Sequence, residues 1–174
     1  MGARTDIASE ASYIKGSADT EGIVKAEESS ESAMLDITRI DITSDYASEK
    51  IGRPKGRYLT IRAADGSFEE AAQCFNERAA LIAKEIGLML PDETRGGILF
   101  AGLGNRQITP DSVGPLAADR ILATRHIESR VLKALGELER MAAISPGVLA
   151  QTGVESAELI RLIADRIEPS AIIV

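Results

Sequence analysis

The sequence predicts an α/β fold: a mostly parallel sheet with helices on both faces, plus a small strand-rich N-terminal part. Three observations lead there. Strand-like and helix-like stretches alternate from residue 67 onward, the order that builds a parallel sheet through helical crossovers. The run Ile98-Leu99-Phe100-Ala101 is short, wholly apolar and ends at glycine, which suits a strand covered on both faces. Residues 34–42 alternate in the manner of a strand with two distinct faces.

Taken in order, residues 1–32 are small, polar and acidic, ending in Glu27-Glu28-Ser29-Ser30-Glu31. Such composition buries little. Residues 1–21 are expected to be a mobile segment, ahead of one α/β domain over 22–174. Gly22–Lys25 reads as a weak strand. In the next strand Leu35, Ile37 and Arg39 face one way, and Asp36, Thr38 and Ile40 the other. Residues 51–55 form a basic turn marked by Gly and Pro. Arg57–Arg62, with β-branched and aromatic residues, is another strand. Ala64–Ser67 closes it, with Ser67 as a helix cap. The helix expected over 67–86 shows Phe68, Ala72, Phe75, Ala79, Ile82 and Ile86 on one face. Glu69 and Glu70 suit the positive end of its dipole, and Gly87 ends it. Cys74 beside this face reads as a small buried residue.

Residues 88–95 form a connection, and the strand at 98–101 follows. A helix is expected over 114–124, with Leu116, Ala117, Ile121 and Leu122 as core candidates. A helical stretch over 127–140 is interrupted at Gly136. Met141–Ile144 reads as a strand stopped by Ser145-Pro146-Gly147. A helix opens at Ser156 with Ile160, Ile163 and Ile167 on one face, and after Pro169 comes a buried strand over 170–174. That strand is apolar to the last residue, so the chain is expected to be incomplete at its carboxyl end.

Composition narrows the function. The 174 residues suffice for a real core, and 44% of them are apolar. Twenty basic residues against 27 acidic ones give a net charge of −7. The arginines are scattered, so no basic patch for direct nucleic-acid binding is visible. One cysteine excludes an intrachain disulfide and a cysteine-rich zinc site, and it fits a reducing cytoplasm. No apolar run approaches the length of a membrane span.

The chemistry is expected at residues 96–115. In α/β sheets, ligands and catalysis gather at the loops beyond the carboxyl ends of strands. Gly102 and Gly104 permit a sharp turn, Asn105 tolerates unusual backbone angles, and Thr109-Pro110-Asp111 presents a carboxylate before Gly114-Pro115. Asp111 is the leading catalytic candidate, with Gly102, Gly104, Asn105 and Thr109 as its supporting loop. The structural alternative is that Asp111 merely caps the following helix. His126, the single histidine, equally suits a helix end, and Glu155 suits a helix first turn. No Gly-x-Ser-x-Gly elbow or placed serine makes a triad. Gly102-Leu103-Gly104 lacks the third glycine of a dinucleotide fingerprint.

Several blocks carry a resemblance: Arg4-Thr5-Asp6-Ile7-Ala8, Gly56-Arg57-Tyr58-Leu59-Thr60, Gly102-Leu103-Gly104-Asn105 with Thr109-Pro110-Asp111, Gly114-Pro115 and Thr124-Arg125-His126, and Pro146-Gly147-Val148 with Gln151-Thr152-Gly153-Val154-Glu155. In this order, across almost the whole chain, they resemble the germination proteases of spore-forming bacteria. The resemblance implies an atypical aspartic endopeptidase with two catalytic aspartates and no cofactor or metal. It acts on small acid-soluble spore proteins in the cytoplasm of the spore core and assembles as a homotetramer. Asp111 matches the first aspartate. The second falls in the family's segment beyond Val174. The resemblance makes His126 and Glu155 surrounding groups. Family members are zymogens, and Thr5-Asp6-Ile7-Ala8-Ser9-Glu10 is similar to the sequence their substrates are cut in, which places autoprocessing between Ile7 and Ala8. The same glycine turn and acid also resemble the metal-dependent peptidases that mature hydrogenases, with Asp111 and His126 as metal ligands. A non-catalytic binding fragment is the remaining alternative.

Overall fold

The computed structural model describes residues 21–63, 72–136 and 138–174. Expectations for residues 1–20 and for Ser67, Phe68, Glu69 and Glu70 lie outside these. The described chain is α/β, with one antiparallel and one parallel sheet plus helices. It divides into two compact units between Met89 and Leu90.

The first unit is a meander of three equal strands: β1 (Ile23–Ser30), β2 (Leu35–Ile42) and β3 (Gly56–Ala63). Both pairings are antiparallel over eight residues, Ile23 opposite Ile42 and Leu35 opposite Ala63. The small strand-rich N-terminal part expected from the sequence is this antiparallel sheet, which holds three of the six described strands. β1 also runs well past Lys25, where the weak strand was expected to end, through the acidic residues Glu27 and Glu28. Among the described residues it is an edge strand, paired with β2 alone, and its charged side chains are exposed, where they discourage further strand pairing.

Each face of β2 is covered. Ile40 and Ile42 pack with Ala47 and Ile51 of helix α1 (Asp45–Ile51), joined by Ile23 and Tyr58 from the neighbouring strands. Sequence periodicity misses α1, because seven residues make too few turns to show it. Its signals are local: the Ser44 hydroxyl accepts the Ala47 N–H at 3.1 Å, and Gly52 ends the helix at φ 76°.

The other face carries Leu35, Ile37 and Arg39, and meets α2 (Phe75–Met89). Here the helix is rotated from the expected orientation and runs through Gly87. Phe75, Ile82 and Ile86, placed in the core by spacing, are exposed, Phe75 by 67%. Glu85 is the buried position, only 2% exposed. The reason is polar. Arg39 projects from the sheet, and its guanidinium donates to both Glu85 carboxylate oxygens, at 2.8 and 2.5 Å. Arg78, two turns earlier, donates to the Ala33 carbonyl at the β1–β2 turn, at 2.7 Å. A buried carboxylate is tolerated only when paired, so this pair dictates which side of α2 turns inward. Cys74 is buried, as expected.

The second unit centres on β4 (Ile98–Ala101), flanked in parallel by β5 (Met141–Ile144) and β6 (Ala171–Ile173). Leu99 and Ala101 are fully enclosed, as the apolar run predicts. Between β4 and β5 lie α3 (Val113–Ala118) and α4 (Ser129–Ala134). Both are shorter than expected: Leu116 and Leu122 are exposed, and Pro115 and Ala118 are the buried residues of α3. The short α5 (Leu149–Thr152) and α6 (Ser156–Ile167) lead to β6. Ile160, Ile163 and Ile167 are half-buried along α6. Among the described residues no helix is long and apolar enough to cross a membrane.

Candidate functional site

The strand order β5-β4-β6 puts successive connections on opposite sides of β4. The chain leaves β4 toward β5, then returns on the far side to β6. Such a reversal opens a crevice at the carboxyl end of the central strand, where ligands bind in open α/β sheets. Residues 102–111 occupy that end.

The loop grows directly from the sheet. Gly102 N–H donates to the Ile144 carbonyl at 2.9 Å, one step beyond the β4–β5 pairing. The chain then turns at Gly104, φ 128°, a conformation that disfavours any side chain. A Cβ there would stand 2.0 Å from the Asp111 carbonyl oxygen. Gly104 thus allows the two ends of the loop to touch.

That contact orients Asp111. Its Oδ2 accepts the Asn105 backbone N–H at 2.7 Å. The Asn105 side chain braces the loop in turn: its Oδ1 accepts Gln107 N–H at 2.9 Å and Gln151 Nε2 at 3.2 Å. Thr109–Asp111 forms a single 3-10 turn, closed by Asp111 N–H on the Ile108 carbonyl. Ser112 follows, its hydroxyl on the Thr109 carbonyl at 2.8 Å. Arg106 pairs with Asp119 just past α3. Asp111 does not cap α3; its carboxylate turns back to the loop and remains exposed. One oxygen is engaged by a backbone donor, and the carboxylate is open to solvent and to an incoming group. This is the geometry of a base or an anionic ligand. It is unfit for phosphate, because the loop's Asn105 N–H already serves an internal anion.

The structure unites Gly102, Gly104, Asn105, Thr109 and Asp111 in one loop. Glu155 lies in the connection after β5, four residues from Gln151, at the extended position before α6. His126 lies elsewhere. The N–H groups of Thr124 and Arg125 donate to the Met141 carbonyl, at the amino end of β5. The Asp111 loop is beyond the carboxyl end, roughly 10 Å further along the strands. Asp111 and His126 therefore do not meet as a ligand pair, and among the described residues no three His, Cys, Asp or Glu cluster around a possible metal. A cavity of about 560 Å³, lined by Thr94, Lys133, Glu139 and Arg140 among others, also lies toward the amino end, away from Asp111. Ile7 and Ala8 lie outside the described residues. Gln151 is the contributor that sequence reasoning passed over as a site residue, although its Gln-Thr-Gly block was visible.

Fold and site together define an α/β protein whose exposed aspartate sits on a braced loop at the topological switch point of a parallel sheet. Residues 3–174 match the family model described as germination protease, and the chain belongs to that family. It is similar to the germination protease of Caldanaerobacter subterraneus, with 33% identity over 99% of this chain and 53% of that protein. It is 32% identical to the germination protease of Priestia megaterium over 98% of this chain and 48% of that one. For the germination protease of Clostridium perfringens the values are 30%, 98% and 53%. The chain spans about half the length of the curated relatives it matches.

Proposed function

We propose that this chain carries the Asp111 half of an aspartic endopeptidase that degrades small acid-soluble spore proteins during germination. The observation supporting it most is the family match over residues 3–174, with Asp111 oriented by Asn105 at the switch point. Peptide hydrolysis by two carboxylates needs one ionised, to take a proton from water, and one protonated, to polarise the carbonyl. Asp111, with one oxygen accepting the Asn105 N–H and the carboxylate otherwise open to solvent, supplies one member of the pair. The second carboxylate comes from outside residues 1–174. Self-processing between Ile7 and Ala8, assembly as a homotetramer and location in the spore core belong to the same reading. So does the likeness of the sheet to hydrogenase-maturation peptidases, without their metal.

The test is cleavage of a small acid-soluble spore protein by the native protein from germinating cells, unchanged or bearing Asp111→Asn. Abolished cleavage in the variant, with no effect of EDTA on the unchanged protein, is expected. Cleavage that survives Asp111→Asn, or that EDTA abolishes, overturns the proposal. The 174-residue chain alone is expected not to cleave.

A further inference from the structure

We infer that Gln151 is a positioning residue that orients Asp111 through Asn105; the inference rests on the reading of Asp111 as catalytic. An asparagine amide has an accepting and a donating end. Asn105 Oδ1 receives two donors, Gln107 N–H at 2.9 Å and Gln151 Nε2 at 3.2 Å. Both need the oxygen on that side, so together they exclude the flipped amide. The first bond is local, two residues apart, and closes a tight turn after Asn105. The second comes from 46 residues away in the chain.

The long-range bond matters because of where each end is anchored. Asn105 lies in the loop after β4, and Gln151 on α5 after β5. α5 is short, four residues, and is held at both ends. Gln151 and Thr152 N–H both bond the Val148 carbonyl, and Gly153 closes it at φ 71°. The Ser156 hydroxyl reaches back to the Gly147 carbonyl at 2.8 Å. Gln151 thus presents its donor from a fixed turn. Beyond the Gly102 bond to Ile144 and the Arg106–Asp119 pair, the loop of exposed residues is held by its own bonds, which are worth little in water. The residue that touches Asp111 is Asn105, through its backbone N–H. By holding the Asn105 side chain, Gln151 restrains the residue whose backbone N–H meets Asp111.

The experiment uses amide hydrogen exchange by NMR on the full chain. Gln151→Ala is expected to raise the exchange rates of Asn105 and Gln107 amides about fivefold, the size of one net hydrogen bond. The Gly102 amide, bonded to Ile144, keeps its protection. Gln151→Glu has the same shape but no donor, and should behave as Gln151→Ala does. In an Asn105→Ala background, Gln151→Ala should have no further effect on Gln107. In the native peptidase, Gln151→Ala should lower kcat by a similar factor with KM unchanged. Unchanged Asn105 and Gln107 exchange, an equal rise at Gly102, additivity with Asn105→Ala, or wild-type behaviour of Gln151→Glu would each overturn the inference. Failure of Asp111→Asn to reduce cleavage removes the catalytic reading instead, and leaves the amide result to decide the link from Gln151 to Asn105.

Discussion

The two units place their carboxylates in opposite ways. In the first, Glu85 is buried between helix and sheet and fully engaged by Arg39. In the second, Asp111 is exposed on a loop and held by one backbone N–H. The strands differ in parallel: three of eight residues in the first unit, and four, four and three in the second. A charge that orients packing must be shielded and saturated. A charge proposed to do chemistry, as Asp111 is, must keep part of its capacity free. The first unit is built for rigidity around Arg39, and the second spends its short strands on presenting a loop.

The largest expected effect separates these roles most sharply. Asp111→Asn should lower cleavage by the native protein about 10²–10⁴-fold, the usual worth of a positioned acid or base. It should leave thermal unfolding unchanged, because an amide oxygen can still accept from Asn105. A lowered melting temperature would show that Asp111 is structural, as Glu85 is.

Arg39→Ala should do the reverse, costing the first unit about 3 kcal/mol in urea unfolding by leaving Glu85 buried and unpaired. Glu85→Gln should cost less, since no charge is stranded. Equal losses would mean that packing, not pairing, holds α2.

Gly104→Ala should destabilise the second unit by roughly 1–3 kcal/mol, through a forbidden backbone angle and a clash with the Asp111 carbonyl. Its cleavage rate should fall further than its stability does, because the damage lands beside Asp111. A stability loss with undiminished cleavage would separate the turn from the site.

Acid should sharpen the contrast. The hydrogen bond from Arg39 holds the Glu85 carboxyl below its ordinary value, against the opposing effect of burial. A lowered folded value means that the unfolded chain binds more protons on acidification. The Glu85 contribution is therefore complete above the ordinary carboxylate range and is lost as pH falls through the lower folded value. Unfolding of wild type and Glu85→Gln, compared from pH 7 to pH 3, should show the stability difference shrinking toward acid. A constant difference would contradict the assignment. The smallest effect is expected at the surface pair of Lys55 and Asp45: Lys55→Ala should change stability by no more than ~0.5 kcal/mol.

Much of this was legible in the chain because its signals are local. The apolar run 98–101 made β4, and the alternation in 34–42 made β2. The glycines, Asn105 and Asp111 marked the loop through backbone requirements that act over a few residues. Other features were hidden because they depend on partners. β1 looked too polar to run past Lys25, since nothing in residues 27–30 reveals that β2 will supply their hydrogen bonds. The apolar stripe of α2 was real, but Arg39, 46 residues away, turned the Glu85 side inward. His126 shared a motif block with its neighbours, yet the bonds of Thr124 and Arg125 to Met141 carry it to the other end of the sheet.

The sequence by itself determined the family, the α/β class and the loop that bears Asp111, because short motifs and residue periodicity are written along the chain. Only the tertiary structure decided which face of α2 is buried, which end of the sheet each polar residue occupies, and that Gln151 reaches Asn105. Those outcomes are set by pairing across long separations, where a buried charge or a single hydrogen bond chooses among arrangements that local propensity leaves equivalent.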